Sequence, residues 1–267
     1  MTRVARIVMP ERPHHITQRG NNRQDVFFVP DVYEAYLEIL RQQSERYGLD
    51  VHAYCLMTNH IHLVATPQGG DSLAKAIGRT HWIYARLVNR LHGRSGHLWQ
   101  NRFYSCALDR DHLWRAIAYV ERNPVRARLH RKAWLYPWSS AAAHCGQRER
   151  PATAKTGTAT PLAVPAFARA QEPQKTGQAA ACESRLSATD ATGLLDLRRW
   201  RKMMDADEWR AELTRAEDPA TLAQLRTQTG RGRPLGSDSF LSKVEKFVGR
   251  RVRPLPVGRP KKERRKR

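Results

Sequence analysis

Two short apolar segments follow one another with a single residue between them, and this arrangement constrains the fold more than any other feature of the chain. The segments are DVHAYCLM at residues 50–57 and NHIHLVAT at residues 59–66. Their length and spacing favour a tight β-hairpin, although one long bent strand is an alternative. Because alternate side chains of a strand share a face, His60 and His62 point to the same side. The sequence therefore predicts a sheet that carries a pair of histidines on one face.

The first 147 residues alternate strand and helix patterns in an order that defines a fold class. In chain order we predict a strand at 14–20, a helix after Pro30 that Asp31 caps and Gly48 ends, the two segments above, a helix capped by Asp71 or Ser72, a strand at 97–109, and a helix from 109 that stops before Pro124. The first six elements match the split βαβ, ferredoxin-like arrangement. We expect an α+β fold whose antiparallel sheet has helices on one face and leaves the other face free for a ligand.

Composition divides the chain into four predicted regions. They are a folded domain at 1–147, a flexible linker at 148–190 that is rich in Ala, Thr, Pro and Gln, a small helical domain at 191–248, and a basic disordered tail at 249–267. The elements GRGRP at 230–234 and VGRPKK at 257–262 are similar to AT-hooks, which bind the minor groove. A plain turn and a solvated basic tail are the alternatives. The helical region could instead hold a helix-turn-helix reader.

The strongest global signal is positive charge. Lys and Arg total 47 against 25 Asp and Glu, which gives a net charge of +22. Residues 1–147 and residues 250–267 each carry a net +9, so the folded domain is itself basic. Such a field favours a polyanionic partner, either nucleic acid or acidic lipid, and nucleic-acid binding would depend strongly on salt.

Several classes of protein are disfavoured. No apolar run approaches the roughly 18 residues needed to cross a bilayer, and the first residues lack the apolar core of a secretory signal. The four cysteines (Cys55, Cys106, Cys145 and Cys182) include no CxxC pair, which disfavours a zinc knuckle or a disulfide framework. We therefore expect no membrane partner, reduced thiols and a cytoplasmic location.

The two histidines of the hairpin are candidate metal ligands. At the usual strand rise their Cα atoms lie about 6.6 Å apart, which lets two imidazoles converge on one divalent cation. A pair of half-exposed strand histidines without a ligand is the alternative. Two ligands leave a metal site incomplete, so a third protein group is needed.

The last predicted helix offers that third group. Tyr119 and Asn123, four residues apart, share a face, and Arg115 and Arg126 flank them. The functional interpretation is a nucleophile beside a metal ligand, with arginines for phosphate. The alternative is a partly buried aromatic residue on a solvated basic face. A phenol is a poor nucleophile at neutral pH, and Mg²⁺ or Mn²⁺ would assist it by polarising the phosphate.

Taken together, the motifs resemble those of a known family. NHIHLV (59–64) is similar to the HUH motif of single-tyrosine, IS200-like transposases, and most of all to the REP-associated tyrosine transposases. The supporting stretches are HHITQRGNNRQDVFF (14–28), LWQNRFYSCALD (98–109) and AYVERNPVRARL (118–129). The resemblance covers roughly residues 4–147.

This resemblance implies a mechanism and a set of site residues. Tyr119 would attack single-stranded DNA beside a palindromic hairpin and form a 5′-phosphotyrosine intermediate, which a 3′-hydroxyl then resolves. His60 and His62 would bind the metal, and Asn123 matches the third ligand. The candidates for DNA contact are Arg19, Asn21, Asn22 and Arg23. An ordinary polar turn without a role in binding is the alternative. Family members are monomers or homodimers, and a nucleoid-associated protein is expected.

Two rival functions stay open at this stage. A replication or relaxase-type HUH nuclease would share the chemistry, although no GxxxxGK[ST] motif is present for an attached ATPase. A non-catalytic regulator that only grips nucleic-acid hairpins is the other rival. Among the other tyrosines, Tyr84 fits the apolar stripe of its helix, and Tyr104 lies in a strand where it would pack or touch DNA.

Overall fold

A four-stranded antiparallel sheet forms the centre of the protein. The computed structural model describes residues 5–147 and 190–253. The strands are β1 (His14–Arg19), β2 (Leu49–Met57), β3 (His60–Pro67) and β4 (Tyr104–Ala107), and they lie in the order β2-β3-β1-β4. Every neighbouring pair is antiparallel, as in a ferredoxin-like split βαβ. The predicted fold class and the tight hairpin between β2 and β3 are confirmed.

Two long helices cover one face of this sheet and create most of the core. They are α1 (Pro30–Tyr47) and α2 (Ser72–Leu91), and the apolar side of each is buried. Gly48 ends α1 in the left-handed conformation, as predicted. The predicted cap at Asp31 is wrong, because Pro30 already occupies the first turn and Val29 is the N-cap residue. Asp71 does precede α2, but its side chain accepts no capping hydrogen bond.

Further helices follow in the described residues, and some of them pack on the second face of the sheet. They are α3 (Arg110–Glu121), the single turns α4 (Asn123–Arg126) and α5 (Ala141–His144), and then α6 (Leu197–Arg201), α7 (Ala206–Thr214), α8 (Pro219–Arg231) and α9 (Asp238–Val248). Helix α3 lies against β2 and β3, whereas α8 lies against β4 and β1. The expectation that this face is left free is therefore wrong. The apolar sides of α3 and α8 pack on this face instead.

The C-terminal helices do not bury a core of their own. Leu197, Trp200, Trp209 and Leu225 belong to the same apolar cluster as the sheet and α1. Helix α9 packs with the N-terminal segment in a smaller cluster. The predicted linker falls on residues outside those that the structure describes, except for residue 190, and the predicted tail is described only as far as residue 253.

The GRGRP element ends a helix. Gly232 caps α8 in the left-handed conformation, and Leu235 then pairs with Leu108 beside β4. The turn that was the alternative to an AT-hook is thus what the structure shows at 230–234. The second element, at 257–262, lies outside the described residues.

A buried carboxylate anchors the end of α3. Glu121 is fully buried and accepts hydrogen bonds from the Ser140 hydroxyl, from His144 Nδ1 at 2.6 Å and from Trp209 Nε1 at 2.7 Å. These donors come from α5, from the residue before it and from α7. Because a buried charge is tolerated only when its hydrogen bonds are made, Glu121 fixes α3 to both neighbours.

Replacing Glu121 with alanine should therefore cost about 3–5 kcal/mol of unfolding free energy, because three buried donors lose their acceptor. Urea denaturation followed by circular dichroism measures this change. Glu208→Ala, an exposed position on α7, is the matched control and should stay close to the wild type. Equal midpoints for the two variants would contradict the role given to Glu121.

Two global expectations can be compared with the described residues. Cys55, Cys106 and Cys145 are buried free thiols, and Cys182 lies outside these residues. No helix in the part of the chain that the structure describes is both long and apolar enough to cross a bilayer.

Candidate active site

The paired histidines lie at one end of the second face of the sheet. Register pairs Arg19 with His60 and Thr17 with His62, so all four side chains point to this face. The imidazoles of His60 and His62 lie 5.1 Å apart, measured between ring centroids. Burial lowers the pKa of His60 to about 4 and that of His62 well below its ordinary value, and nearby positive groups add to both shifts. Both rings are thus neutral at pH 7, the form that binds a metal.

Each of these histidines uses its Nδ1 atom in a hydrogen bond with a protein group. His60 Nδ1 lies 2.6 Å from Asn59 Oδ1, and His62 Nδ1 lies 3.0 Å from His15 Nε2. An acceptor at Nδ1 holds the proton there and leaves the Nε2 lone pair available. Neither Nε2 makes a hydrogen bond within the described ranges. This pattern is typical of histidines that bind metal ions through Nε2.

His15 is a functional candidate that the sequence did not reveal. Its ring is nearly parallel to that of His62, with an interplanar angle of 6° and a centroid distance of 5.2 Å, and its Nδ1 lies 2.8 Å from Thr229 Oγ1 on α8. Burial lowers the pKa of His15 to about 3, so this ring is also neutral. The signal in the sequence was the HH pair at 14–15, but only the strand register shows that His15 shares the face of His62.

Helix α3 brings Tyr119 to the histidines. The Tyr119 ring contacts those of His62 and His15 edge to face, with centroid distances of 5.5 and 5.4 Å. Its hydroxyl accepts a hydrogen bond from Arg226 Nε of α8 at 3.3 Å. The side chain is 6% exposed. The predicted nucleophile and one predicted metal ligand are therefore neighbours within one chain.

Asn123 lies four residues after Tyr119, at the start of α4, and its amide is engaged by the end of α3. Its Nδ2 donates to the carbonyl oxygens of Tyr119 and Val120, at 3.2 and 3.0 Å. The Oδ1 atom accepts no hydrogen bond among the residues that the structure describes. The assignment of Asn123 as a third ligand stays a prediction.

The two arginines predicted to flank Tyr119 differ in their surroundings. Arg126 lies over the Tyr119 ring at 4.3 Å and donates to the Tyr119 carbonyl at 2.7 Å, while its other nitrogen pairs with Glu217 at 2.5 Å. Arg115 is exposed on α3. Arg126 contacts the Tyr119 ring, and Arg115 lies beside the same side chain. A phosphate bound at Tyr119 would therefore be close to positive charge. To bind Arg126 directly, the phosphate would have to displace Glu217.

A cavity of about 420 Å³ opens beside Tyr119. Its lining includes Arg115 of α3, Arg122 just after α3, Glu212 of α7, and Glu217 and Asp218 between α7 and α8. The sequence pattern could not reveal this lining, because the two groups are about 90 residues apart.

The predicted DNA-contact turn lies next to His60. Asn21–Arg23 forms a short 3-10 turn in which Asn22 and Arg23 are exposed, and Arg19 before it is exposed as well. Asn59, the partner of His60, donates to the Arg23 carbonyl at 3.2 Å. Only glycine fits at position 20, since a Cβ atom there would lie 2.3 Å from the Gln24 carbonyl oxygen. The turn is thus fixed at the edge of the site, and its contact with DNA stays a prediction.

The donor set allows a divalent cation but does not complete its shell. Within the described ranges, no group of three or more His, Cys, Asp or Glu side chains could hold a metal ion. His60 and His62 would supply two neutral nitrogens, so the remaining ligands would have to be an amide, water or substrate oxygens. An open shell of this kind suits a catalytic site rather than a structural one.

The site thus combines two neutral histidines on an antiparallel ferredoxin-like sheet with a helical tyrosine, and comparison with known families adds to this description. Residues 11–123 match the family model for IS200-like transposases. The match covers about 42% of the chain and lies within the N-terminal sheet domain. The match includes His60, His62, Tyr119 and Asn123.

Two solved structures match part of the chain. One is a REP-associated tyrosine transposase bound to a REP hairpin, with 15% identity, a TM-score of 0.47, and coverage of 60% of this chain and 96% of the other. The second is described as a candidate transposase from Deinococcus radiodurans R1, with 19% identity, a TM-score of 0.32, and coverage of 48% and 92%. No curated protein matches the chain.

Proposed function

We propose that this transposase nicks and rejoins single-stranded DNA at hairpin-forming palindromic repeats, in the manner of the REP-associated enzymes that its motifs resemble. The observation that carries the proposal is the edge-to-face contact of Tyr119 with His62 at 5.5 Å. A phenol next to a candidate metal ligand is placed where a bound metal could activate it for attack on a phosphodiester.

The proposed reaction exchanges one phosphodiester for another. The Tyr119 oxygen bonds to phosphorus, the bond from phosphorus to the 3′-oxygen breaks, and the leaving oxygen takes up a proton as a 3′-hydroxyl. A second 3′-hydroxyl then attacks the 5′-phosphotyrosine, and the bond from phosphorus to tyrosine breaks. No external energy source is consumed, because the number of phosphodiester bonds is conserved.

The residues of the site have distinct proposed roles. Arg226 Nε, which donates to the phenol oxygen at 3.3 Å, stabilises the charge that develops there as the proton is lost. Arg126 and Arg115 bind the scissile phosphate. The Nε2 atoms of His60 and His62, with Asn123 Oδ1, would hold Mg²⁺ or Mn²⁺, which would act as a Lewis acid on the phosphate oxygens.

A covalent adduct assay tests the proposal. Single-stranded DNA from the sequence flanking the gene, folded into its hairpin, is labelled at either end and incubated with the protein and Mg²⁺ or Mn²⁺. We expect a labelled protein band on a denaturing gel with the 3′-labelled strand, because a 5′-phosphotyrosine retains the downstream fragment. The 5′-labelled strand should give a shorter free product, and EDTA should abolish both.

Absence of cleavage for every hairpin with either metal would contradict the enzymatic proposal. Retained hairpin binding in that case would favour a regulator that only grips nucleic acid. An adduct on the 5′-labelled fragment would reverse the proposed polarity of cleavage.

A further inference from the structure

The outer side of α2 carries a straight row of cations that the proposed chemistry does not use. Lys75, Arg79, Arg86 and Arg90 are all exposed, and with Trp82 they follow one another at spacings of three or four residues. Such spacing places them along one stripe of the helix. At the helical rise the stripe is about 22 Å long. The opposite side of α2 is buried in the core.

Negative charge is missing from this part of the chain. Residues 72–108 contain six Lys and Arg and no Asp or Glu. Asp71, which precedes this segment, pairs with Lys75 at the first turn. Helix α2 and the segment that follows it therefore carry only positive charge, and α2 lies on the sheet face opposite α3 and α8.

Trp82 organises the centre of the row. The guanidinium carbons of Arg79 and Arg86 lie 4.3 and 4.8 Å from the centroid of its ring, and the side chain is 43% exposed. Cation–π contacts of this kind hold both guanidiniums in place. Because arginines flank the ring, it is not a platform on which unpaired bases could stack.

The row leads towards the active site. Helix α2 runs antiparallel to β3, so its C-terminal end lies at the end of the sheet where His60 begins β3. From there Arg94 contacts Gln24, which is next to Arg23, and Asn59 joins Arg23 to His60. A polyanion lying along α2 would thus extend towards the histidines.

We propose that the α2 row, comprising Lys75, Arg79, Arg86 and Arg90 around Trp82, binds the phosphate backbone of duplex DNA, and specifically the stem of the hairpin whose adjoining single strand reaches Tyr119. This inference rests on the proposed function. The length of the α2 row, about 22 Å, corresponds to the rise of about six or seven base pairs at 3.4 Å each. A regular row of cations, in which the exposed Trp82 ring is already in contact with two guanidiniums, suits paired DNA better than a single strand. A membrane partner is disfavoured, because the apolar side of α2 is committed to the core.

Fluorescence anisotropy with a labelled hairpin, in EDTA so that no cleavage occurs, tests the row independently of the chemistry at Tyr119. The variant replaces all four cations with glutamine, which preserves helix propensity. The matched control replaces four exposed cations elsewhere, namely Arg131, Lys132, Arg201 and Lys202. Thermal unfolding by circular dichroism establishes that both variants are folded.

We expect the row variant to bind the hairpin at least about tenfold more weakly at moderate salt than the wild type. The salt dependence, as the slope of log K against log salt concentration, should fall by about 0.9 for each phosphate that the variant no longer neutralises, and so by about 3 to 4. The affinity of the control variant for the hairpin should change much less than that of the row variant. Trp82→Leu should give an intermediate loss.

Four results would overturn the inference. They are an unchanged salt slope in the row variant, an equal loss of affinity for an unpaired strand of the same length, a stronger effect of the row on an RNA hairpin than on DNA, and loss of binding to phosphatidylserine vesicles with hairpin binding intact. Because anisotropy measures binding alone, none of them depends on whether Tyr119 forms an adduct.

Discussion

Tyr119→Phe is expected to abolish DNA cleavage and the covalent adduct, with a rate loss of at least about a thousandfold, because the attacking oxygen is removed. The ring contacts with His62 and His15 are kept, since phenylalanine has the same ring. The variant loses one hydrogen bond, from Arg226, which costs about 0.5–1.5 kcal/mol. The protein should therefore stay folded and still bind hairpin DNA, as anisotropy would show.

Tyr47→Phe is the matched control, because this phenol lies at the end of α1 and takes no part in the site. Its adduct yield on a denaturing gel should equal that of the wild type. Persistence of the adduct in Tyr119→Phe would place the nucleophile elsewhere, with the exposed Tyr104 as the next candidate.

His15→Phe is expected to weaken binding of Mn²⁺ by about 10–100-fold, because a ligand's second hydrogen bond fixes both its tautomer and its orientation. Phenylalanine keeps an aromatic ring at this position but accepts no hydrogen bond from His62 Nδ1. The free His62 ring could then place its proton on either nitrogen. Titration of free Mn²⁺ by electron paramagnetic resonance, without DNA, measures the affinity directly.

Two further variants separate positioning from a loss of structure. His15→Gln retains an acceptor that can reach His62 and should restore part of the affinity. His81→Phe removes another buried histidine that hydrogen bonds to Tyr36 on the opposite side of the sheet, and should leave Mn²⁺ binding unchanged. Equal affinity in His15→Phe and the wild type would show that His15 does not orient the ligand.

Local sequence pattern was sufficient to predict the sheet and the two helices that cover its first face. The alternation that placed His60 and His62 on one face follows from strand geometry alone, and the i, i+3, i+4 spacing defined α1. The fourth strand is shorter than predicted. Leu98, Trp99 and Phe103 are buried but lie outside the ladder, so apolar content there reflects packing of an irregular segment.

The surroundings of the site depend on contacts that no local pattern encodes. His15 reaches His62 through the β1–β3 register and reaches Thr229 across 214 positions. Helical periodicity indicated the C-terminal helices, yet it did not indicate their packing partner. The apolar stripe of a helix indicates that the helix packs on some apolar surface, but it does not indicate which one. In this protein the second face of the sheet is such a surface.

The buried anchor at Glu121 bears on how copies of the protein would cooperate. Tyr119 meets His62 of its own chain, and two residues later Glu121 is bound to Ser140, His144 and Trp209 of that chain. Exchange of α3 between two copies would have to carry these three partners with it or re-form their bonds between chains. A single polypeptide therefore contains the phenol and the imidazoles in cis, so mixing a copy defective in the tyrosine with one defective in the histidines would not restore function by complementation.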